Sequence, residues 1–305
     1  MICAFVACIK LGAIPVPVYP PSSKGFRAST GMMGFIAKNC NAATVLTEHS
    51  YYWSFKVSIE RNSDVSFSSV SNILSTMKWI VSDDIATSDA GTVPQAHSDI
   101  LFLQYASGST SNPKGVMVTH ENIMGNCRSI VDHEPISVSW LPQYHDMGLI
   151  GYYLYPALTS GTTYGFSPLD FIQRPSLWLE TISTYSATCS SAPNFAYDYC
   201  LRKGKIPEKT LKSLDLSSLI FLMTAAEPVN PIIYKSFFNY FEPYGLKASS
   251  FLSAYGLAEF TLAVSSRGRK IRSFRSDALQ KHQVVLTGFR NGGMLHCNRG
   301  LAKGP

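Results

Sequence analysis

The chain has 305 residues, of which 46% are hydrophobic, and this content is sufficient for a substantial core. We therefore expect a globular protein with one large domain or two ordinary ones. The net charge of +6 comes from the end of the chain, because residues 1–266 carry 17 basic and 19 acidic side chains whereas residues 267–305 carry 9 and 1. No nucleic-acid-binding motif accompanies this basic segment, so its charge does not by itself indicate such a partner.

Cysteine usage and the first residues bear on cellular location. The 7 cysteines are scattered and include no Cys-x-x-Cys pair, which argues against a disulfide framework and against a zinc site. A reducing, cytoplasmic setting is the expectation. The apolar start of the chain has no basic leader and is too short to span a membrane, so we predict a buried helix there and no stable membrane insertion.

Helical and strand-like patterns alternate along the first third of the chain. Helices are predicted at about 2–11, 26–39 and 51–61, and strands at about 14–18, 43–47 and 79–81. A polar stretch, 82–98, predicts an exposed connection to a strand that begins at Ile100. This alternation is typical of an α/β fold with layered, mainly parallel sheets flanked by helices.

The segment from Tyr105 to Gly115, here called the Ser/Thr-rich loop, follows this strand. It contains five small hydroxyl or amide residues, two glycines, one proline and Lys114. Backbone N–H groups and hydroxyls of such a loop can bind phosphate oxygens, and the lysine adds a cation. The composition also fits a surface turn between two strands, since an apolar pattern resumes at Val116, and the residues alone leave both interpretations open. A P-loop is excluded because no helix follows Lys114.

The next pattern places polar residues where a predicted strand ends. Thr119 is predicted to cap a helix, with Asn122 in the position of the usual Glu or Gln. A strand from residue 136 stops at a proline at 142, so His145 and Asp146 lie at its carboxyl end, where ligands bind in open α/β sheets. On the residues alone, the plainer interpretation is that Asp146 caps a helix beginning near Met147.

The alternation continues to about residue 252. Strands are predicted at about 162–166, 187–191, 219–223 and 250–252, and helices at about 175–185, 195–203 and 231–241. Just beyond the last strand, Tyr255 offers a flat face for a purine, Gly256 permits close backbone approach, and Glu259 is a hard oxygen ligand for Mg²⁺. Past Arg267 the periodicity is lost, with one possible strand at Gln283–Leu286 before a glycine-rich basic end.

Three motifs, taken in this order, resemble those of the acyl-adenylate-forming superfamily. They are the Ser/Thr-rich loop, Leu-Pro-Gln-Tyr-His-Asp-Met-Gly-Leu-Ile-Gly at 141–151, and Tyr-Gly-Leu-Ala-Glu at 255–259. The second is similar to the corresponding motif of the fatty acyl-AMP ligase branch. The resemblance implies the fold of the large N-terminal domain of adenylate-forming enzymes and ATP-dependent activation of a fatty acid to acyl-AMP. It also implies ATP and Mg²⁺ as cofactors, and an acyl carrier protein or polyketide synthase carrier domain as acceptor.

The same resemblance assigns roles to individual residues. Those implied to bind nucleotide are Ser107, Gly108, Ser109, Thr110, Ser111, Lys114, Ala225, Ala226, Glu227, Tyr255, Gly256 and Leu257. Those implied to face the acyl substrate are His145, Asp146, Met147, Gly148, Asn194 and Phe195. His145, Lys114 and Glu259 would be catalytic, and Glu259 with Thr110 would bind the metal. Ser111 and Ala225 depart from the pattern because related proteins carry Gly there, and the methyl group of Ala225 would crowd the nucleotide.

The resemblance covers about residues 1–266, which we expect to be a partial N-terminal adenylation core whose opening strands are missing. Residues 267–305 would form a basic, Gly-rich segment of uncertain structure. The ribose-binding Asp, the hinge and the catalytic Lys of the superfamily's small C-terminal domain are not found before Pro305. We therefore expect the chain as written to bind adenylate weakly and to adenylate poorly or not at all.

Two alternatives to a fatty acyl-AMP ligase stay open at this point. One is an acyl-CoA synthetase or an amino-acid adenylation domain, which would be distinguished by its products. The other is a catalytically inactive module that binds nucleotide or lipid, suggested by Ser111, Ala225 and the parts that are not found.

Overall fold

The structure is a computed structural model in which the described residues are 1–20, 26–61, 73–85, 98–106, 113–130, 134–268, 271–273, 278, 281, 283, 285 and 294–296. The chain divides into two structural units. Unit 1 comprises Met1–Met124 and Gln143–His145, and unit 2 comprises Gly125–Pro142 and Asp146–Pro305. None of the helices among the described residues is long and apolar enough to cross a membrane.

Unit 1 contains two small pairs of strands and the helices beside them. Its helices are α1 (Ile2–Lys10), α2 (Phe26–Asn39) and α3 (His49–Arg61), and its strands are β1 (Thr44–Thr47), β2 (Lys78–Val81), β3 (Ile100–Ala106) and β4 (Lys114–Thr119). Strands β1 and β2 are parallel, whereas β3 and β4 are antiparallel. These bounds confirm the helices predicted for this part of the chain, although α3 begins two residues earlier than predicted.

The strand predicted at 14–18 is wrong. Residues 13–20 form no strand, and the physical reason is that Pro15 and Pro17 have no N–H group to donate to a neighbouring strand. Pro15 still offers its carbonyl oxygen, which accepts a hydrogen bond from the backbone N–H of Leu103 at 3.1 Å. The predicted connection at 82–98 begins with a 3₁₀ turn, Ser82–Asp84, and its remainder at 86–97 lies outside the described residues.

Helix α4 (His120–Ile130) begins as the sequence predicts. The Thr119 hydroxyl accepts from the Asn122 N–H, and the Thr119 N–H donates to the Asn122 side-chain oxygen, both at 3.1 Å. The two residues therefore form a reciprocal cap in which Asn122 accepts the hydrogen bond that Glu or Gln usually accepts at this position. The helix is described as far as Ile130, and Val131 lies outside the described residues.

Unit 2 is built on a six-stranded sheet with strand order β10-β9-β8-β7-β5-β6. Neighbouring strands are parallel except for β10, which runs antiparallel to β9. The strands are β5 (Ile136–Ser139), β6 (Thr162–Gly165), β7 (Cys189–Ser191), β8 (Phe221–Thr224), β9 (Phe251–Gly256) and β10 (Ala263–Gly268). This sheet confirms the predicted α/β fold with mainly parallel strands.

The helices of unit 2 lie between these strands in sequence. They are α5 (Asp146–Leu149), a π-helical turn (Ile150–Leu154), α6 (Tyr155–Leu158), α7 (Pro168–Gln173), α8 (Ser176–Thr184), α9 (Asn194–Leu201), α10 (Glu208–Leu211) and α11 (Pro231–Phe241). Helix α7 was not predicted, although its reciprocal cap between Ser167 and Asp170 is visible in the sequence. A further parallel pair, β11 (Ile271–Ser273) with β12 (Met294–His296), ends the described chain, and the strand predicted at Gln283–Leu286 lies largely outside it.

The core of unit 2 is rich in aromatic side chains that pack between the sheet and its helices. Trp178, Tyr197 and Phe237 are fully buried, and the indole N–H of Trp178 donates to the Ser190 hydroxyl at 2.8 Å. The Tyr197 hydroxyl donates to a backbone carbonyl of β8 at 2.8 Å. Burial raises the pKa of the Tyr197 hydroxyl well above its ordinary value. These buried polar groups are therefore neutral and hydrogen-bonded, which fixes the sheet against its helices.

Candidate functional site

The Ser/Thr-rich loop is described at its two ends. Ser107, Gly108, Ser109, Thr110 and Ser111, all predicted to bind nucleotide, lie outside the described residues. Strands β3 and β4 pair Ala106 with Lys114 and Tyr105 with Gly115, so the loop is closed by an antiparallel pair. The Lys114 side chain is exposed at the first position of β4. A Cβ on Gly115 would lie 2.8 Å from the end of the Tyr105 ring, so a larger residue here would displace that ring.

A second set of contacts in unit 1 attaches the segment before His145 to the end of β3. The Gln104 side chain is only 3% exposed, and its amide nitrogen donates to the Tyr144 carbonyl at 3.1 Å. Tyr144 also packs edge-on against Tyr19, with ring centroids 5.2 Å apart. Because Gln104 lies two residues before β3 ends, this bond places the backbone next to His145 at the strand that leads into the Ser/Thr-rich loop.

Tyr144 and His145 differ in their exposure to solvent, and the partial burial of Tyr144 changes the pKa of its hydroxyl. Desolvation, with a smaller contribution from Tyr19 and Tyr51, raises the pKa of Tyr144 to about 12. The Tyr144 hydroxyl is therefore protonated at neutral pH and can act as a hydrogen-bond donor. His145 itself is exposed.

Four groups of predicted site residues in unit 2 follow the strands of the parallel sheet. Asn194 and Phe195 come after β7, Ala225–Glu227 come after β8, Tyr255–Leu257 lie at the end of β9, and Asp146–Gly148 come after β5. Since β5, β7, β8 and β9 are parallel neighbours, their carboxyl ends lie at one edge of the sheet. The structure therefore gathers these residues at a single edge, here called the carboxyl edge of unit 2.

Asn194 connects two of these groups directly. Its backbone N–H donates to the Glu227 carboxylate at 2.6 Å, and its side-chain amide donates to the Pro228 carbonyl at 2.8 Å. The side-chain oxygen accepts from the Asn230 N–H at 3.0 Å. Asn194 is 8% exposed. Its polar atoms are thus bound to the turn after β8, in which Ala226 has a left-handed φ of 72° and Ala225 is buried.

Phe195 lies in an aromatic cluster at the same edge. Its ring is 5.8 Å from Trp140 and 6.4 Å from Phe171, and Trp140 stacks on Phe171 with centroids 4.1 Å apart. Phe195 is nevertheless 47% exposed. The indole N–H of Trp140 is buried and has no hydrogen-bond partner within the part of the chain that the structure describes. This cluster offers an apolar surface next to the turn that Asn194 holds.

Helix α5 approaches the end of β5 so closely that Gly148 has no room for a side chain. A Cβ there would lie 2.0 Å from the Pro142 carbonyl oxygen. Met147 is buried, and its N–H donates to the Asp146 carboxylate at 2.6 Å. The helix then continues as a π-helical turn, a form often found near functional sites.

Tyr255 and Gly256 end β9, and Glu259 lies in the connection from β9 to β10. We call residues 257–262 the Glu259 loop. Tyr255 is 61% exposed, so one side of its ring is open to solvent. A Cβ on Gly256 would lie 2.0 Å from the Leu262 carbonyl oxygen, so the close approach of the Leu262 backbone requires glycine here, and the role of Gly256 in nucleotide binding stays a prediction. Glu259 is exposed in the middle of a 3₁₀ turn, Ala258–Phe260.

The Glu259 loop contains a strained residue. Thr261 has φ 70° and ψ −62°, and the Leu262 N–H donates to the Phe260 carbonyl at 2.8 Å, as in a γ-turn of the rare strained type. A β-branched residue in this region costs about 1–3 kcal/mol. Such strain persists only where the surrounding structure holds the turn in place.

The holding contacts come from Asn126 on α4. Its amide nitrogen donates to the Phe260 carbonyl at 3.2 Å and to the Ala263 carbonyl at 3.0 Å. Its side-chain oxygen accepts from the Ala263 N–H at 3.0 Å. Asn126 was not predicted as a site residue, and neither was Gln104. A single polar residue in a helix or strand does not by itself indicate a functional site. Asn126 and Gln104 could not be identified from the sequence because both act through tertiary contacts.

Comparisons with known proteins place these observations in a family. The sequence matches the family described as AMP-binding enzyme over residues 1–284, and the chain therefore belongs to that family. It is 37% identical over 297 residues to the medium-chain-fatty-acid–[acyl-carrier-protein] ligase JamA of Moorena producens, covering 93% of this chain and 48% of that protein. It is 32% identical to the long-chain-fatty-acid–AMP ligase FadD32 of Mycobacterium marinum, covering 86% of this chain and 42% of that protein.

A solved structure shows the same relationship. The fatty acyl-adenylate ligase of Legionella pneumophila, crystallised with acyl adenylate and pyrophosphate, is 32% identical and superposes with a TM-score of 0.76. The match covers 94% of this chain and 49% of that chain. The chain thus has the fold of adenylate-forming enzymes and is similar to fatty acyl-AMP ligases. It spans about half the length of the relatives that it matches.

Proposed function

We propose that this chain carries the nucleotide- and acyl-binding residues for ATP-dependent activation of a fatty acid to acyl-AMP. The observation that carries the proposal is the carboxyl edge of unit 2, where four groups of polar, aromatic and glycine residues converge. In an AMP-binding family member, this edge is the expected place for the adenylate. Relatives named as fatty-acid ligases support a fatty acid as the substrate.

The proposed reaction is nucleophilic substitution at phosphorus. A carboxylate oxygen of the fatty acid attacks the α-phosphorus of ATP, the bond from that phosphorus to the bridging oxygen breaks, and pyrophosphate leaves. Such a step depends mainly on positioning and on neutralising charge. Lys114 and the hydroxyls of the Ser/Thr-rich loop would hold the β- and γ-phosphates, and His145 would orient the carboxylate.

Tyr255 at the end of β9 and Glu259 in the Glu259 loop suit ATP and Mg²⁺. The exposed Tyr255 ring offers a face on which adenine can stack. Magnesium is usually held by one or two carboxylates together with substrate phosphates. No group of three or more potential metal ligands occurs within the described ranges. Glu259 as an exposed single carboxylate, with Thr110 as the second protein oxygen, therefore fits an ion that arrives with the nucleotide. Bound Mg²⁺ would neutralise charge that develops on the phosphates.

We propose an acyl carrier protein, or the carrier domain of a polyketide synthase, as the acceptor of the acyl group. Two relatives named as acyl-carrier-protein ligases support this choice. We also propose a cytoplasmic location, which agrees with six described cysteines that form no disulfide.

The products distinguish this proposal from its alternatives. The 305-residue chain is incubated with MgATP, decanoate, phenylalanine and coenzyme A, and the products are identified by mass spectrometry. We expect decanoyl-AMP, formed slowly, as the product. Decanoyl-CoA would instead support an acyl-CoA synthetase, phenylalanyl-AMP would support an amino-acid adenylation domain, and binding without any product would support a non-enzymatic module.

Two substitutions test the proposed nucleotide contacts. Lys114→Ala removes a phosphate-binding cation, and Glu259→Gln removes the carboxylate proposed to bind Mg²⁺. Each is expected to weaken MgATP binding about tenfold or more in calorimetric titration, because charge-assisted bonds are lost. Only Glu259→Gln should abolish the dependence of ATP affinity on Mg²⁺. Lys235→Ala, an exposed lysine on α11, is the matched control and should bind as the parent chain does.

A further inference from the structure

We propose that Asn126 is a positioning residue that holds the Glu259 loop in the conformation required to bind the magnesium–nucleotide complex. This inference deepens the proposed function and rests on it, because the role assigned to Glu259 is part of that proposal. Asn126 does not contact the nucleotide in this account. It acts through the backbone on both sides of the strained Thr261.

Three hydrogen bonds of the Asn126 side chain bracket the strained turn. The Asn126 amide nitrogen reaches the carbonyl of Phe260, immediately before Thr261, and the carbonyl of Ala263, two residues after it. The amide oxygen accepts from the Ala263 N–H. One side chain therefore fixes both ends of the turn. Its amide can take only one orientation, because a flipped amide would place its oxygen against two carbonyl oxygens and its nitrogen against an N–H group.

Without these contacts, the Glu259 loop would keep only its local backbone bonds and its pairing with β9. The backbone bonds inside it are short-range: Thr261 donates to Ala258 at 2.9 Å, and Leu257 donates to Leu262 at 3.1 Å. Strand β10 pairs with β9 irregularly, with register shifts on either side of Ser265. Ladder pairing beyond the turn is thus irregular, and the three bonds from the helix that carries Asn126 add a long-range restraint on the turn.

The bonds of Asn126 also bear on the position of Glu259. Glu259 lies directly before Phe260, whose carbonyl Asn126 binds, so this bond restrains the backbone one residue away from the carboxylate-bearing position. Pre-organised ligands bind a cation more tightly because no ordering occurs at the moment of binding. The loop is therefore held in advance in the arrangement that presents Glu259.

The test uses two substitutions at Asn126 and one control. Asn126→Ala removes all three bonds. Asn126→Asp keeps the shape and the acceptor for Ala263 but places an oxygen against two carbonyl oxygens. Arg128→Ala, an exposed position on the same helix, is the control. If the side chain only fills space, Asn126→Asp will be neutral. The proposal predicts that it is at least as damaging as Asn126→Ala.

The first readout is hydrogen–deuterium exchange of the peptide spanning 257–263, measured without nucleotide. Both Asn126 variants are expected to exchange there at least about tenfold faster than the parent chain, while the strands β7 and β8 keep their protection. Arg128→Ala should leave the peptide unchanged. Unchanged exchange in both Asn126 variants would overturn the proposal.

The second readout is the affinity for ATP as a function of Mg²⁺ concentration. The Asn126 variants are expected to need about tenfold more Mg²⁺ for half-maximal binding, with ATP affinity in the absence of Mg²⁺ unchanged. Faster exchange with an unaltered Mg²⁺ requirement would overturn the positioning role. If the parent chain binds no MgATP, the proposed function fails, and with it the link to magnesium, whereas the exchange result still decides whether Asn126 holds the loop.

Discussion

Asn194 illustrates how one buried amide can organise a binding edge. The resemblance assigned it to the acyl substrate, and that role stays a prediction. The structure adds a different one, because both polar atoms of its side chain are bound to the turn after β8. The same turn contains Ala225 and Ala226, which the resemblance implies bind the nucleotide. Asn194 therefore links the position of the nucleotide turn to the start of α9.

Substitution of Asn194 tests this structural role. Asn194→Ala should lower the free energy of unfolding by about 2 kcal/mol, since two buried hydrogen bonds are lost. The measurement is urea unfolding followed by tryptophan fluorescence, because Trp140 and Trp178 both lie in unit 2. Asn239→Ala, at an exposed position on α11, serves as control and should change stability by less than about 0.5 kcal/mol. Equal effects of the two substitutions would contradict the account.

At the scale of elements, the close contact of α5 with the end of β5 is possible because residue 148 is a glycine and has no side chain. Gly148 faces the Pro142 carbonyl with no room for a Cβ, whereas a Cβ on Gly125, in α4, would meet nothing within 4 Å. The sequence alone does not distinguish Gly148 from Gly125, but the structure gives the two residues different roles. Gly148 is required because the two backbone segments approach closely. Gly125 only lowers the stability of its helix, because glycine loses more backbone entropy on folding than other residues do.

This contrast predicts opposite effects for the same substitution. Gly148→Ala should destabilise the protein by several kcal/mol or prevent folding, because either α5 or the 142 turn must move. Gly125→Ala should stabilise it by about 0.5–1 kcal/mol, the usual gain in a helix interior. Thermal unfolding of both variants, in parallel with the parent chain, measures this difference. A neutral Gly148→Ala would show that α5 does not pack as described.

The elements also show which features a sequence can predict. The alternation of helix and strand predicted most elements, because in parallel α/β folds each element has a local pattern of its own. The strand at 14–18 failed because apolar residues there alternate with prolines, which cannot take part in a ladder. Strand β10 was missed because it follows the Glu259 loop with little apolar alternation, and its pairing with β9 is irregular.

The same distinction applies to the site. The positions of Asn194, Ala225 and Tyr255 at one sheet edge could be predicted, because strands that alternate with helices are parallel and their carboxyl ends coincide. The contacts of Asn126 and Gln104 could not be predicted. Asn126 binds residues 134 and 137 positions away in the chain, and nothing in the residues between them specifies that distance.

At the scale of the whole molecule, burial predicts which cysteines react. Cys3 is exposed, whereas Cys127 and Cys200 are buried. Desolvation raises the pKa of the Cys127 thiol to about 11, and the pKa of Cys200 is raised for the same reason. A raised pKa leaves less thiolate at a given pH, so both thiols should be poor nucleophiles near neutrality.

Alkylation with iodoacetamide at pH 8, with peptide mapping, tests this description. Cys3 should be labelled first, and Cys127 and Cys200 should react at least about a hundredfold more slowly in the folded chain. Raising the pH towards 10 should increase their labelling, and urea should remove the difference. Labelling of Cys200 as fast as Cys3 in the absence of urea would show that the core of unit 2 is open.

The central claim is that this chain binds a fatty acyl adenylate. Calorimetric titration with decanoyl-sulfamoyl-adenosine, a stable mimic of decanoyl-AMP, tests it most directly, with sulfamoyl-adenosine and the phenylalanyl mimic as comparisons. The account predicts saturable binding of the decanoyl compound, at least about tenfold tighter than that of either comparison compound. Equal affinity for all three, or no binding of the decanoyl compound at about 1 mM, would contradict it.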